Sequence, residues 1–418
     1  MSERPDDRIA RRRAIEALRS GVPSRDAVHI LGTNQTVIEL EFDHRLDSML
    51  ADQAMSGLIV AGDFGTGKSH LLEHLQHRAL TRNTVTSKVV ISKETTLHDP
   101  AKVYRSAVDA AILPGRTGSA LTEIATTLLD DKPAYNAVRD WARDQELNDR
   151  FSATLYLLEH ARADPELIDR ILRFWNGDPI AVSELRKALK AVGEGATYML
   201  PKINARDLAL QRFRFFARLV RAAGFQGWVL LFDEIELIGR YSLLQRARSY
   251  AEIARWVVPS DAERIPDLMA VLAITDDFDG AVIEAKNDRE QAPGRLRATG
   301  KPEDEIAASR AERGMSAINQ RLRIVPQSHE SLDTSYHRVR DMHGLAYDWK
   351  PPELEWTKAS IARPMRQYVR SWINEWDLRR LDPAYRPDIA IDPLGMNYTE
   401  DRDLDSGDAP ETDNGREA

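Results

Sequence analysis

Lys68 follows Gly62, Gly65 and Gly67 in the run Gly62-Asp63-Phe64-Gly65-Thr66-Gly67-Lys68-Ser69, which has the spacing G-x-x-x-x-G-K-S. Glycines at these positions permit backbone angles that a side chain forbids, so successive N–H groups can turn inward around an anion. The helix expected to begin here adds unsatisfied N–H groups and the positive end of its dipole. In such a phosphate-binding loop, Lys68 is expected to reach the β- and γ-phosphates of ATP and the Ser69 hydroxyl to ligate Mg2+. Asp63, Phe64, Thr66 and His70 complete the stretch expected to surround the nucleotide.

A second constellation is acidic. Gly227-Trp228-Val229-Leu230-Leu231-Phe232 is a short apolar run that delivers Asp233 and Glu234 at its end, where open α/β sheets place their ligands. This is a Walker B pattern: Asp233 is expected to help hold Mg2+, and Glu234 to act as general base on the attacking water. Glu236 reads as a supporting or solvated acid. A further apolar run, 268–274, ends at Thr275, either a polar sensor orienting the water or touching the γ-phosphate, or a cap on the next turn. Arg363 or Arg366, beside Pro364 on an amphipathic segment, would suit an arginine sensing the γ-phosphate in cis; both also fit a solvated helix face. Arg321 and Arg323 are candidates for a finger reaching a neighbouring copy, or ordinary strand-face arginines.

The elements that must position these groups follow from pattern. Residues 57–61 read as a buried strand feeding the loop, and an amphipathic helix follows it. A strand at 87–92 and a helix starting at Asp99-Pro100 continue an alternating β/α order. Helical pattern then runs to about Gly224, so residues 116–205 read as a helical insertion, for partner or DNA contact or for scaffolding. The charged stretch between Glu284 and Gly314, broken by Pro293-Gly294 and Gly300-Lys301-Pro302, reads as a mobile excursion. Residues 320–326 read as an edge strand stopped by Pro326. The expected division is a helical segment 1–56, a core of 57–115 and 206–326, the insertion 116–205, a helical lid with its extension at 327–397, and a disordered acidic tail 398–418.

Composition narrows the class. Hydrophobic content of 42% with 30% charged residues is ordinary for a soluble protein. No apolar run is long enough to span a bilayer, the N-terminus lacks an apolar signal core, and there are no cysteines. These features together predict a cytoplasmic protein without disulfides or thiolate metal sites. Eight acids against two arginines lie from Glu400 onward, so most of the formal charge of −8 is in the tail and the body is near neutral. The arginines of residues 8–19 would serve nucleic acid, a partner, or merely solvent. His70, His74 and His77 share a helix face without an H-E-x-x-H signature and read as packed or surface residues. The absence of an acceptor-substrate motif disfavours a kinase.

Four stretches together resemble one family: 12–23, 62–72, Ser92-Lys93-Glu94 with Asp99-Pro100, and 231–236. The pattern is similar to the P-loop ATP-binding proteins of bacterial BREX-type phage-defence systems, particularly the smaller BrxD-like members. That resemblance implies an AAA+-like ATPase encoded beside a helicase and acting against phage DNA, with Lys68, Ser69, Asp233 and Glu234 keeping their roles by position. The expectation is therefore an α/β P-loop NTPase with a parallel sheet core, a helical insertion and a small helical C-terminal lid. It would bind ATP and Mg2+, form a homo-oligomer, and either hydrolyse ATP to drive assembly or action on DNA with a helicase, or serve as a nucleotide-gated adaptor that recruits the helicase with little turnover.

Overall fold

The computed structural model describes residues 5–21, 25–53, 55–144, 147–160, 164–326, 328–354, 365–385, 398–401 and 404. Six strands form one sheet: β1 (Leu58–Ala61), β2 (Val85–Val90), β3 (Ala111–Ile112), β4 (Trp228–Asp233), β5 (Leu268–Ile274) and β6 (Leu322–Arg323). Their order is β3-β2-β4-β5-β1-β6, parallel throughout except for the antiparallel edge pair β2–β3. Every residue of β1, β4 and β5 is buried, which explains why these strands read as unbroken apolar runs rather than alternating ones.

Alternate residues face two helical layers. Leu58, Val60, Val229, Leu231, Met269 and Val271 meet the helices Thr36–Leu50 and Lys68–Thr81. Ile59, Trp228, Leu230, Phe232, Leu272 and Ile274 meet a larger layer that includes the helices Ala205–Ala222 and Leu243–Val257. The helices of residues 120–191 do not form a separate core. Phe151 packs tilted and Trp175 edge-on against Phe215, with ring centroids 4.8 and 5.2 Å apart, and the Tyr104 hydroxyl donates to the Trp175 carbonyl at 2.6 Å. Residues 120–191 are helical, and their core is continuous with that of the sheet.

Two expectations are corrected. The charged stretch from Glu284 to Gly314 is not an excursion: it forms the helices Asp288–Arg297 and Pro302–Asn319. Its charges conceal a stripe of small residues, Ala307, Ala308, Ala311 and Gly314, that lets the second helix lie almost on the backbone of the helix Leu243–Val257. A Cβ on Gly314 would come within 1.9 Å of the Tyr250 carbonyl, so the crossing tolerates only hydrogen there. Likewise, the acidic tail is not free at its start. Leu404 is 6% exposed, and Tyr398, Glu400 and Asp401 make hydrogen bonds or ion pairs to the body. Charge composition alone could not reveal that three arginine- or hydroxyl-bearing sites on the body await them.

The helices Pro5–Ser20, Arg25–Leu31, His329–Tyr347 and Met365–Leu381 share a third core of Ile15, Tyr336, Trp372 and Trp376, among others. The expected lid is thus built from both ends of the chain. Arg8 and Arg12 donate to the Ala346 carbonyl at 3.3 and 2.9 Å, near a helix C-terminus where cations are favoured, and Arg19 pairs with Asp377. Of the N-terminal arginines, these three are therefore tied to the lid. Residues 361–364 and 386–397, including Arg363, lie outside the described residues. No helix among the described residues is long and apolar enough to cross a membrane.

Candidate nucleotide-binding site

β1 ends at Ala61, and the loop 62–67 turns the chain into the helix Lys68–Thr81. Gly67 caps that helix with φ 107°, ψ 21°, and a Cβ there would meet nothing within 4 Å. Glycine is required for the backbone angle, and the space beyond it is open. The first helical hydrogen bond at this end runs from Leu71 N to Gly67 O, so the N–H groups of the opening turn lack helical acceptors and are available to an anion. The Asp63 carbonyl accepts from both the Thr66 N–H (3.2 Å) and its hydroxyl (2.8 Å), bracing the turn, while the Asp63 side chain is exposed. Ser69 is half-buried in the first helical turn. His70 directs its ring to the Gly32 carbonyl at 2.9 Å, and His74 lies 3.5 Å from Glu39, which leaves packing rather than metal binding as their observed environment. Burial lowers the pKa of both rings.

Strand order brings the acids to this loop. β5 lies between β1 and β4, with Ala61 opposite Ile274 and Phe232 opposite Leu272. The ends of three adjacent parallel strands therefore present Lys68, Thr275 and the pair Asp233–Glu234 along one edge. Lys68 is 7% exposed; its ammonium donates to the Gly62 carbonyl at 3.1 Å and lies 3.2 Å from Glu236 Oε1. Glu236 is 1% exposed, and neither of its carboxylate oxygens has a hydrogen-bond partner of good geometry. Of the two roles its sequence position allows, supporting or solvated acid, solvation is excluded, because the 3-10 helix Ile235–Arg240 folds it under the loop. Asp233 makes one ion pair, Lys88 Nζ to Oδ2 at 3.3 Å, and its Oδ1 accepts from the Glu234 N–H at 3.1 Å.

Glu234 adopts φ 61°, ψ 32°, a left-handed conformation uncommon for glutamate and typical of functional turns. Burial, and then the neighbouring Asp233 charge, raises its pKa, opposed by Lys68, Arg366 and Lys88. Burial also raises that of Glu236. A raised carboxyl suits proton transfer near neutral pH.

Thr275 is buried, its hydroxyl 2.8 Å from that of Tyr398. Arg366, from the helix Met365–Leu381, lies over the Phe64 ring at 5.9 Å and against Gly21. It is the described arginine of the two candidates, and it reaches the loop from the lid. Arg321 and Arg323 are both drawn to Asp276, at 3.2 and 2.8 Å; Arg321 also donates to two backbone carbonyls, while Arg323 stays 66% exposed. Lys88 and Tyr398 were missed from the sequence, because strand pairing and a long return of the chain bring them here.

The donors fit the groups they would hold. The open, N–H-lined loop with a buried ammonium fits a polyphosphate, and Asp233 with the Ser69 hydroxyl offers the oxygen ligands Mg2+ favours, Lys88 standing where a cation would balance the acid. No curated protein and no solved structure matches the chain. A family model described as BREX system ATP-binding protein BrxC/D matches residues 7–369 of the 418. Covering most of the chain, including the loop and the acid pair, this match means that the chain belongs to the BrxC/D family of BREX phage-defence ATP-binding proteins.

Proposed function

We propose that the chain is a Mg2+-dependent ATPase of AAA+-like type that works with other BREX components. The observation that carries this reading is the convergence of Lys68, Asp233, Glu234 and Thr275 at the ends of three adjacent parallel strands, with Arg366 entering from a helical lid. A nucleotide-binding protein without chemistry has no need of a half-buried acid beside Asp233, held in a left-handed turn with its pKa raised by burial. Glu234 takes the proton of the attacking water, and Lys68 leaves Glu236 to neutralise charge on the β- and γ-phosphates. Ser69 and Asp233 would hold Mg2+, which supplies further charge neutralisation when bound. Arg366 couples the nucleotide to the lid, and movement of the lid drives assembly or action on DNA with a helicase partner.

One observation favours a second reading, the nucleotide-gated adaptor. Both Lys68 and Asp233 are held by ion pairs that nucleotide and metal must displace, as expected of a resting site needing activation. ATP turnover of the purified protein, alone and with single- or double-stranded DNA, separates the two. The expected result is turnover, raised by DNA, that falls by at least about a hundredfold in Glu234→Gln while ATP stays bound. Tight binding with negligible wild-type turnover would favour the adaptor.

A further inference from the structure

Chain beyond the family match returns to the site. The Tyr398 hydroxyl lies 2.8 Å from Thr275 Oγ1 and donates to Asp277 Oδ1 at 3.2 Å. Its ring stands edge-on to Phe278, and a Cβ on Gly239 would come within 2.9 Å of it. The residues that follow hold the segment in place. Glu400 pairs with Arg246 at 2.7 Å, Asp401 pairs with Arg240 at 2.7 Å, and the Leu404 carbonyl accepts from Gln245 at 3.3 Å.

A tyrosine hydroxyl has one proton to give. Here Asp277 takes it, since a carboxylate oxygen accepts. The proton between Tyr398 and Thr275 must then come from Thr275. Burial raises the Tyr398 phenol pKa, which keeps that proton on the ring oxygen and available to Asp277. With its own proton directed at Tyr398, Thr275 has only lone pairs left to offer the nucleotide.

We propose that Tyr398 is a positioning residue for ATP hydrolysis: by accepting the hydrogen bond of Thr275, it fixes that hydroxyl as an acceptor toward the attacking water and not a donor to the γ-phosphate. The inference rests on the hydrolytic reading given above and refines the role of Thr275 within it. It also gives a segment outside the matched residues 7–369 a place in the reaction.

The test is steady-state ATP turnover and thermal unfolding of the wild type, Tyr398→Phe, Thr275→Ala, the double variant and Glu234→Gln. Phenylalanine keeps the ring against Gly239 and Phe278 and removes only the hydroxyl. The expected result is a fall in kcat of roughly tenfold for Tyr398→Phe, the scale of one net hydrogen bond, with KM and melting temperature kept. The double variant is expected to be no slower than Thr275→Ala, because the tyrosine acts only through the threonine. An unchanged kcat, a raised KM at constant kcat, multiplicative losses in the double variant, or a loss that tracks a lowered melting temperature would each overturn the role. If the wild type is no faster than Glu234→Gln, hydrolysis itself fails and this role fails with it, a result told apart by the silence of every variant alike.

Discussion

The protein buries charge in two regions and treats it differently. Behind the sheet, Arg246 and Asp288 are 3% and 0% exposed and meet through two hydrogen bonds, at 2.8 and 2.9 Å. The Tyr250 hydroxyl adds a third bond to Asp288, and Arg246 also donates to the Tyr241 carbonyl and to Glu400. Nearly every donor and acceptor is used. At the nucleotide edge, by contrast, Lys68 and Glu236 are as deeply buried but share one contact at 3.2 Å, leaving the carboxylate without well-aligned donors. Burying a charge costs several kcal/mol, which good geometry repays and a single contact does not. The first region is built to stay. The second holds a lysine loosely enough to be taken by a phosphate.

This contrast can be broken at either end. The largest effect is expected from Lys68→Ala, which should abolish measurable ATP binding while leaving the fold intact; tight binding retained in calorimetry would remove the loop from its role. Next comes Asp288→Ala, which leaves buried Arg246 only the half-exposed Glu400 as counter-charge and should destabilise the protein by about 3 kcal/mol in denaturant unfolding. Little loss there would mean the two regions are alike after all. The smallest effect is expected from Glu236→Gln. With the competing carboxylate neutralised, ATP affinity should rise a few-fold and stability should change by less than about 1 kcal/mol. Weaker ATP binding in that variant would falsify the idea that Glu236 is a displaceable holder, and would make it part of the bound site.

How much of this was legible beforehand follows from the range of each interaction. The loop from Gly62 to Ser69 is a local device, since glycine spacing, lysine and helix start all fall within eight residues, and its form could be read directly. The place of Asp233 and Glu234 at a strand end was legible because the apolar run before them marks a buried strand. Lys88 and Tyr398 depend on strand order and on the return of distant chain, which spacing does not encode. Glu236 was read as supporting or solvated because its burial depends on the left-handed turn at Glu234, which the amino-acid types do not announce. The stretch from Glu284 to Gly314 reads as an excursion because alanine is a weak hydrophobic signal, although it is the residue a close helix crossing needs. The arginines at 8, 12 and 19 showed their charge but not their distant targets, Ala346 and Asp377, which lie more than three hundred residues away.

The four-helix module made by both ends of the chain has a mechanical consequence. Its helix Met365–Leu381 places Arg366 at Phe64, and its partner helix Pro5–Ser20 is followed by Gly21, packed against the same arginine. The helices Pro5–Ser20 and Met365–Leu381 are therefore one handle, with the loop 62–67 beneath it. A partner that grips either end pulls on the same lever, and a load applied there is felt first where the phosphates would sit.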